Sequence, residues 1–170
     1  SGGIDDFDAG DWRRALELNL MSTINLCRHA LPHLRAAAEA DGHARILMVT
    51  SVSAKQPIPN LALSNTARAG VQGFAKSLAN ELGPEGITVN TLLPGYTRTE
   101  RLAELAADIQ ARTGHSREEV EAGWAEKSAL KRIGTPEEFA AAVAFLASAR
   151  AAYITGVALP VDGGRVKHLL

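Results

Sequence analysis

"ARILMVTSVSA", residues 44–54, is an apolar run that ends in hydroxyls. Set between Gly42 and the cluster Thr50, Ser51 and Ser53, it is too short for a helix. Its unbroken apolar character is that of a strand buried on both faces. The sequence on either side of it is helical. Upstream, Trp12, Leu16, Leu20, Ile24, Cys27, Leu31 and Leu34 step by three and four, which makes one stripe of an amphipathic helix. Asp8 or Asp11 can cap its start and Gly42 ends it, while Pro32 inside the pattern predicts a kink. Downstream, beyond Pro57 and Pro59, Ala67, Val71, Phe74, Leu78 and Leu82 form a second such stripe, closed by Gly83-Pro84. Gly70 and Gly73 within it lower helix propensity but permit the close approach of a neighbouring backbone.

The pattern then repeats. "ITVNTLLPG", residues 87–95, is a second apolar strand ending in a Pro-Gly break. Residues 99–128 hold two short helices, the second opened by a Ser116/Glu119 capping box. "GTPEEFAAAVAFLAS", residues 134–148, has Thr135 as cap, Pro136 at the first helical position and Glu138 reaching back. "GVALPVDGG", residues 156–164, is the last strand. Helices between short apolar strands mean crossovers and a parallel, doubly wound α/β sheet. No linker or repeat divides residues 1–170, so one domain is expected. Three strands are few for such a sheet, and the first has no neighbour on its outer side, where an apolar edge invites aggregation. The opening "SGGIDDFDAGDW" has no Met and begins in turn chemistry. Together these features predict the C-terminal part of a longer domain.

With 46% hydrophobic and 22% charged residues over 170 positions, the composition is that of a globular domain. A net charge of −1 leaves no basic field to attract nucleic acid or an anionic membrane, and leaves self-association unopposed. One cysteine, Cys27, allows no internal disulfide, so a reducing cytoplasm is expected. The longest apolar helical stretch, "FAAAVAFLASA", is too short to span a bilayer.

Open α/β sheets bind ligands outside the carboxyl ends of their strands. Thr50 to Ser53, "PGYTRTE" (94–100) and "VDGG" (161–164) all fall there. The long segment of about residues 99–133 after the second of these suits a lid over a site.

In this order, "SGG", "LNL", "ILMVTSVSA", "GITVNTLLPGYTRT", "RIGTPEEFAAAVAFLAS" and "YITGVALPVDGG" resemble the short-chain dehydrogenase/reductase family, over essentially the whole chain. The 3-oxoacyl-carrier-protein-reductase-like branch is the most similar in pattern. The resemblance implies a Rossmann-like fold and hydride exchange between NAD or NADP and a carbonyl or secondary alcohol. It implies a tetrad of Asn, Ser, Tyr and Lys, with the last two spaced as Tyr-x-x-x-Lys. Asn19 falls on the asparagine and Ser51 on the serine. The tyrosine position is Ser64 and the lysine position Arg68. Gly2, at the end of what resembles the family's Asn-Ala-Gly turn, is carried to the cofactor, as are Arg68, Pro94, Gly95, Tyr96, Thr97 and Thr99. Ser53 and Tyr96 are carried to the substrate. The long helices resemble those of the family's subunit interfaces, which implies a homodimer or homotetramer.

The two replacements change the chemistry. A phenol titrates near ~10, within reach of tuning by a cation, whereas a serine hydroxyl is far less acidic and shorter by a ring. An arginine, with pKa roughly 12.5 or more, holds a charge but does not relay protons. Ser64 and Arg68, one turn apart on one helix face, retain the ability to hydrogen-bond a ribose or phosphate. Tyr96 is a packing aromatic beside the cofactor or, on the sharper reading, a substitute acid. Thr97 and Thr99 are cofactor contacts or a cap for the helix that follows. Asn19 bonds backbone or organises water. Lys55 is a solvated loop lysine, and His29/His33 have a metal-like spacing without a third ligand. Asn90 pins neighbouring loops, and Asp162-Gly163-Gly164 is a turn with a scaffold or interface role. No G-x-x-x-G-x-G or G-x-G-x-x-G turn is present to cradle a pyrophosphate. The chain as written is therefore expected to hold a dinucleotide poorly. A non-catalytic relative that binds a ligand or stabilises an oligomer is the alternative to an oxidoreductase.

Overall fold

A computed structural model describes residues 2–167. Helix α1 (Ala9–Leu16) is capped by Asp8, whose carboxylate accepts from the Asp11 N–H. A π-helical turn (Glu17–Met21) joins it to α2 (Ser22–Asp41), which Gly42 ends at φ 74°. The irregularity of this long helix thus lies around Asn19, and the helix runs on past Pro32. Strand β1 (Ala44–Val49), helix α3 (Ala62–Leu82) and strand β2 (Ile87–Pro94) follow. Then come α4 (Glu100–Thr113), α5 (Arg117–Ala125), α6 (Pro136–Ala147) and β3 (Ala158–Val161). The Ser116/Glu119 and Thr135/Glu138 capping boxes form as the sequence predicts.

The strands make one parallel sheet, ordered β1-β2-β3, with Ala44 opposite Ile87 and Thr91 opposite Ala158. β2 lies between the other two and is buried on both faces. On one side Ile87 and Val89 join Ile46 and Met48 under Val71, Ala75, Leu78 and Leu82 of α3. On the other, Leu92 packs with Leu146 of α6 and Ala151, flanked by Leu47 and Phe139. Each such fully buried aliphatic side chain contributes about 1.5–3 kcal/mol relative to exposure. Two of the three polar side chains of β2 are satisfied within the fold, while the buried Thr88 Oγ1 has no partner among the described residues. Asn90 Nδ2 donates to the Ile154 carbonyl (2.8 Å), and its Oδ1 accepts from the Val157 N–H (3.1 Å). Thr91 Oγ1 donates to Gln72 Oε1 of α3 (2.7 Å). Among the described residues the outer edge of β1 has no partner, and Val49 there is 55% exposed.

Two close approaches hold the layers together. A Cβ on Gly70 would come within 2.9 Å of Leu20, so the π-helical turn sits directly on α3. At Gly73 no atom of the described residues lies within 4 Å of that position, so only Gly70 is used for a close approach among them. A Cβ on Gly95 would lie 2.6 Å from Asp162 Cα, which is backbone and cannot swing aside.

Gly95→Ala should therefore destabilise the fold by about 1–3 kcal/mol through overpacking. Gly123→Ala, in helix α5 with nothing within 4 Å of the added methyl, should be neutral or stabilising by up to about 1 kcal/mol. Denaturant unfolding of both variants checks this, and equal effects would contradict it. A second expectation concerns acid. Glu138 is held at about 2, against 4.5 for a free carboxyl, by the hydrogen bond from Arg132 and then by the Thr135 N–H. Its contribution to the start of α6 is complete above pH 4.5 and is lost as the pH falls towards about 2. Amide exchange at residues 135–138 should rise over that window, and in Glu138→Gln the increment should be gone.

Candidate active site at the carboxyl ends of the strands

Three segments meet beyond the ends of the strands, and the ladder continues into the first through Thr50 N–H to the Leu92 carbonyl (2.9 Å). Ser51 follows in extended backbone, and its Oγ accepts the Ser53 N–H (3.1 Å), capping the 3₁₀ turn Val52–Ala54. Ser53 is buried, and its hydroxyl, like that of Thr50, has no hydrogen-bond partner. This turn and the Asn19-bearing π turn both pack against α3.

Helix α3 opens without a side-chain cap at Leu61. Asn65 replaces one by clamping the preceding loop: Nδ2 donates to the Ile58 carbonyl (2.9 Å) and Oδ1 accepts the Ile58 N–H (3.2 Å). In the same loop Asn60 is left-handed at φ 60°, and its carbonyl accepts the Gly2 N–H (2.8 Å). Gly2 is thereby buried beside the start of α3, whereas Ser1 lies outside the described residues. Ser64 stands in the first turn of α3, with Arg68 one turn on. Arg68 is half-buried and has no carboxylate partner among the described residues, and its Nε is buried without an acceptor. Burial alone pushes its pKa down. Asn19 is turned onto its own helix, Nδ2 donating to the Ala15 carbonyl (3.0 Å).

The second segment roots residues 99–133, the expected lid. Gly134 N–H donates to the Tyr96 carbonyl (3.0 Å) and Arg98 N–H to the Gly134 carbonyl (2.9 Å), so both ends of the lid are tied at one point. Between them α4 and α5 pack around a small core of Ala106, Val120, Trp124 and Ile133, with Tyr96, Leu102 and Leu105 against it. The Tyr96 ring stacks on Trp124 at 5.2 Å between centroids and 17° between planes. The Arg165 guanidinium lies 4.1 Å from the same ring centroid. Tyr96 therefore packs as an aromatic. Thr99 caps α4, Oγ1 accepting the Leu102 N–H (3.3 Å).

Tyr96, Thr97, Gly134, Thr135, Phe139 and Asp162 line a cleft of about 130 Å³. That is below the roughly 300–1,000 Å³ of a site for a drug-sized ligand. Ser51, Ser64 and Arg68 lie outside its lining. The candidate residues thus form two groups: Asn19, Ser51, Ser53, Ser64 and Arg68 gathered against or on α3, and Pro94 to Thr99 at the lid root. Among the described residues no group of three or more His, Cys, Asp or Glu could hold a metal, so His29 and His33 gain no third ligand. Among the described residues no helix is long and apolar enough to cross a membrane. The Trp124 and Arg165 contacts to Tyr96 had no signal in the sequence, because their partners are brought together only by the fold.

A family model described as Enoyl-(Acyl carrier protein) reductase matches residues 1–165. The short-chain reductase protein NovJ of Streptomyces niveus is 40% identical over 157 residues, which cover 91% of this chain and 56% of that protein. The chain thus spans about half the length of the curated relatives it matches. Among solved structures, L-sorbose reductase of Gluconobacter frateurii, complexed with NADPH and L-sorbose, superposes with a TM-score of 0.90 at 31% identity. The match covers 99% of this chain and 63% of that one. A Pseudomonas aeruginosa short chain oxidoreductase bound to NADPH, described as containing an atypical catalytic center, matches with a TM-score of 0.83 at 32% identity, over 98% and 62% of the two chains. The parallel sheet, the helical segment at its carboxyl edge and the match of nearly every residue lead to one conclusion: the chain belongs to the short-chain dehydrogenase/reductase family.

Proposed function

We propose that the full-length protein is an NAD- or NADP-dependent oxidoreductase that reduces a small-molecule carbonyl or oxidises a secondary alcohol, using Ser64 and Arg68 where the family pattern has tyrosine and lysine. The observation that carries this reading is Arg68. A half-buried guanidinium with no carboxylate partner and an orphaned Nε is costly in a folded chain. It becomes favourable once a polar or anionic ligand accepts its hydrogen bonds. The buried, unpartnered hydroxyls of Thr50 and Ser53, on the turn packed against the same helix, support a polar ligand there.

The dinucleotide, when bound, supplies or accepts the hydride. In this reading Arg68 donates to the ribose and holds a fixed positive charge beside the reacting oxygen. Ser51 and Ser64 donate hydrogen bonds that polarise that oxygen. Neither Arg68 nor Ser64 gives up a proton readily near neutral pH, so the proton that completes an alcohol comes from water, which the Asn19 amide helps to hold. Gly2 and Pro94 to Thr99 line the cofactor's path, and Ser53 and Tyr96 stand on the substrate side. The protein works as a homodimer or homotetramer in the cytoplasm, without nucleic acid or membrane.

Ser64 and Arg68 also favour a second reading, a family member that binds a ligand or builds an oligomer without chemistry. The two are separated with the natural full-length protein and its Ser64→Tyr/Arg68→Lys double variant. Turnover of reduced nicotinamide by the natural protein is expected. Activity confined to the double variant would favour the second reading, and absence of dinucleotide binding in both would overturn the cofactor assignment. Arg68→Met provides a further check: unfolding stability of the ligand-free protein should stay level or rise, while dinucleotide affinity falls by about tenfold, or ~1.4 kcal/mol. Lower stability with unchanged affinity would mean that Arg68 is structural.

A further inference from the structure

We infer that Arg165 is a positioning residue for the lid, acting through Tyr96 and resting on the reading of this edge of the sheet as the active site. The turn that carries it is rigid. Both oxygens of Asp162 are used within it, Oδ1 accepting the Gly164 N–H (2.9 Å) and Oδ2 the Val166 N–H (2.8 Å). Gly163 and Gly164 are left-handed at φ 63° and 77°, so the turn has little freedom to relax with other side chains.

The same turn is fastened on three sides. Gly95 N–H donates to the Val161 carbonyl (3.1 Å), joining it to the end of β2. Leu130 N–H donates to the Gly163 carbonyl (3.1 Å), joining it to the last residues of the lid. Lys167 N–H donates to Gln56 Oε1 (3.0 Å), joining it to the loop that follows Ser51 and Ser53. Arg165 projects from the middle of this junction to a point 4.1 Å from the Tyr96 centroid. Trp124, at the lid's own core, stacks on the ring as well. Tyr96 is thus in contact with the lid through Trp124 and with the C-terminal turn through Arg165. Arg165 has no carboxylate partner among the described residues, which leaves its charge directed at the ring face.

Tyr96 is well placed to transmit this. Its backbone ties both ends of the lid through Gly134, and its side chain lines the cleft. Fixing the ring therefore fixes the height of α4 and α5 over the cleft, relative to the serine loop that the same turn holds at Gln56. Arg165 neither supplies a proton nor polarises the substrate. It sets the closed position of the lid.

The test uses the natural full-length protein with Arg165→Leu and Arg165→Lys, each also compared with its Trp124→Phe counterpart so that the emission of Trp124 is read as the difference. In Arg165→Leu, amide exchange across residues 99–133 should quicken roughly two- to fivefold, while β2 exchanges as before. Trp124 emission should shift, and Arg165→Lys should restore both towards the natural protein. With a turned-over carbonyl substrate, KM should rise by a similar factor with kcat little changed. Unchanged lid exchange and emission in Arg165→Leu would overturn the inference, as would faster exchange spread equally over β2. If the exchange and emission effects appear but the natural protein shows no turnover, the oxidoreductase reading fails and the positioning role stands.

Discussion

The structure depends on what happens to the polar groups of β2. This strand lies between two others and beneath helices on both faces, so water cannot reach it. Asn90 has no exposed surface, and an unsatisfied buried amide would cost about 1–3 kcal/mol. The fold meets that demand by drawing the segment before β3 onto Asn90, at the Ile154 carbonyl and the Val157 N–H. Thr155 adds its hydroxyl as acceptor for the Val89 N–H (3.0 Å). Once that segment is fixed, β3 runs parallel to β2 and Asp162 comes against Gly95. The lid root and the C-terminal turn are then set side by side at the carboxyl edge.

The site follows from this arrangement and carries a strain of a different kind. Asn90 and Thr91 are satisfied inside the chain, but Arg68 Nε of α3 and the hydroxyls of Thr50 and Ser53 are buried without partners among the described residues, as are Thr88 Oγ1 and Arg45 Nε in the sheet. Leaving such groups open costs stability. The lid shows the opposite design. Its helices have their own small core and their own ion pairs, Arg98 and Arg117 both reaching Glu121. Its two ends are tied together at the Tyr96–Gly134 junction. In the proposed reading, Ser51, Ser64 and Arg68, on the sheet edge and α3 beside a self-contained lid, suit a reaction that must exclude water after a ligand enters.

Much of this was legible in the sequence because it is local. The capping boxes at Ser116 and Thr135 need only four consecutive residues, and the strands declare themselves by unbroken apolar runs between turn residues. The parallel order follows from the alternation of elements. Ser64 and Arg68 stood out because the family pattern predicts other residues there, and both lie in α3, one turn apart. What was not legible is what tertiary approach decides. Pro32 drew attention as the kink, yet the helix departs from α geometry at Asn19, where Gly70 lets α3 press on Leu20. Gly70 and Gly73 looked alike in sequence, and only one has a neighbour. Thr99 allowed both a cap and a ligand contact, and the N–H it receives from Leu102 follows from where α4 begins. The clasp on Tyr96 joins residues far apart in the chain, with no periodicity to betray it.

The central claim is that a chain with serine and arginine in these two positions still moves a hydride. The most direct measurement follows the label. Full-length natural protein is incubated with a reduced nicotinamide cofactor deuterated at the transferable position and a panel of small ketones and β-keto thioesters, and the products are analysed by mass spectrometry. The account predicts deuterium on the newly formed carbinol carbon of at least one product, absent when Arg68 is replaced by Met. A protein that binds the cofactor yet leaves every carbonyl unlabelled would contradict it and make this chain part of a binding protein built on an oxidoreductase fold.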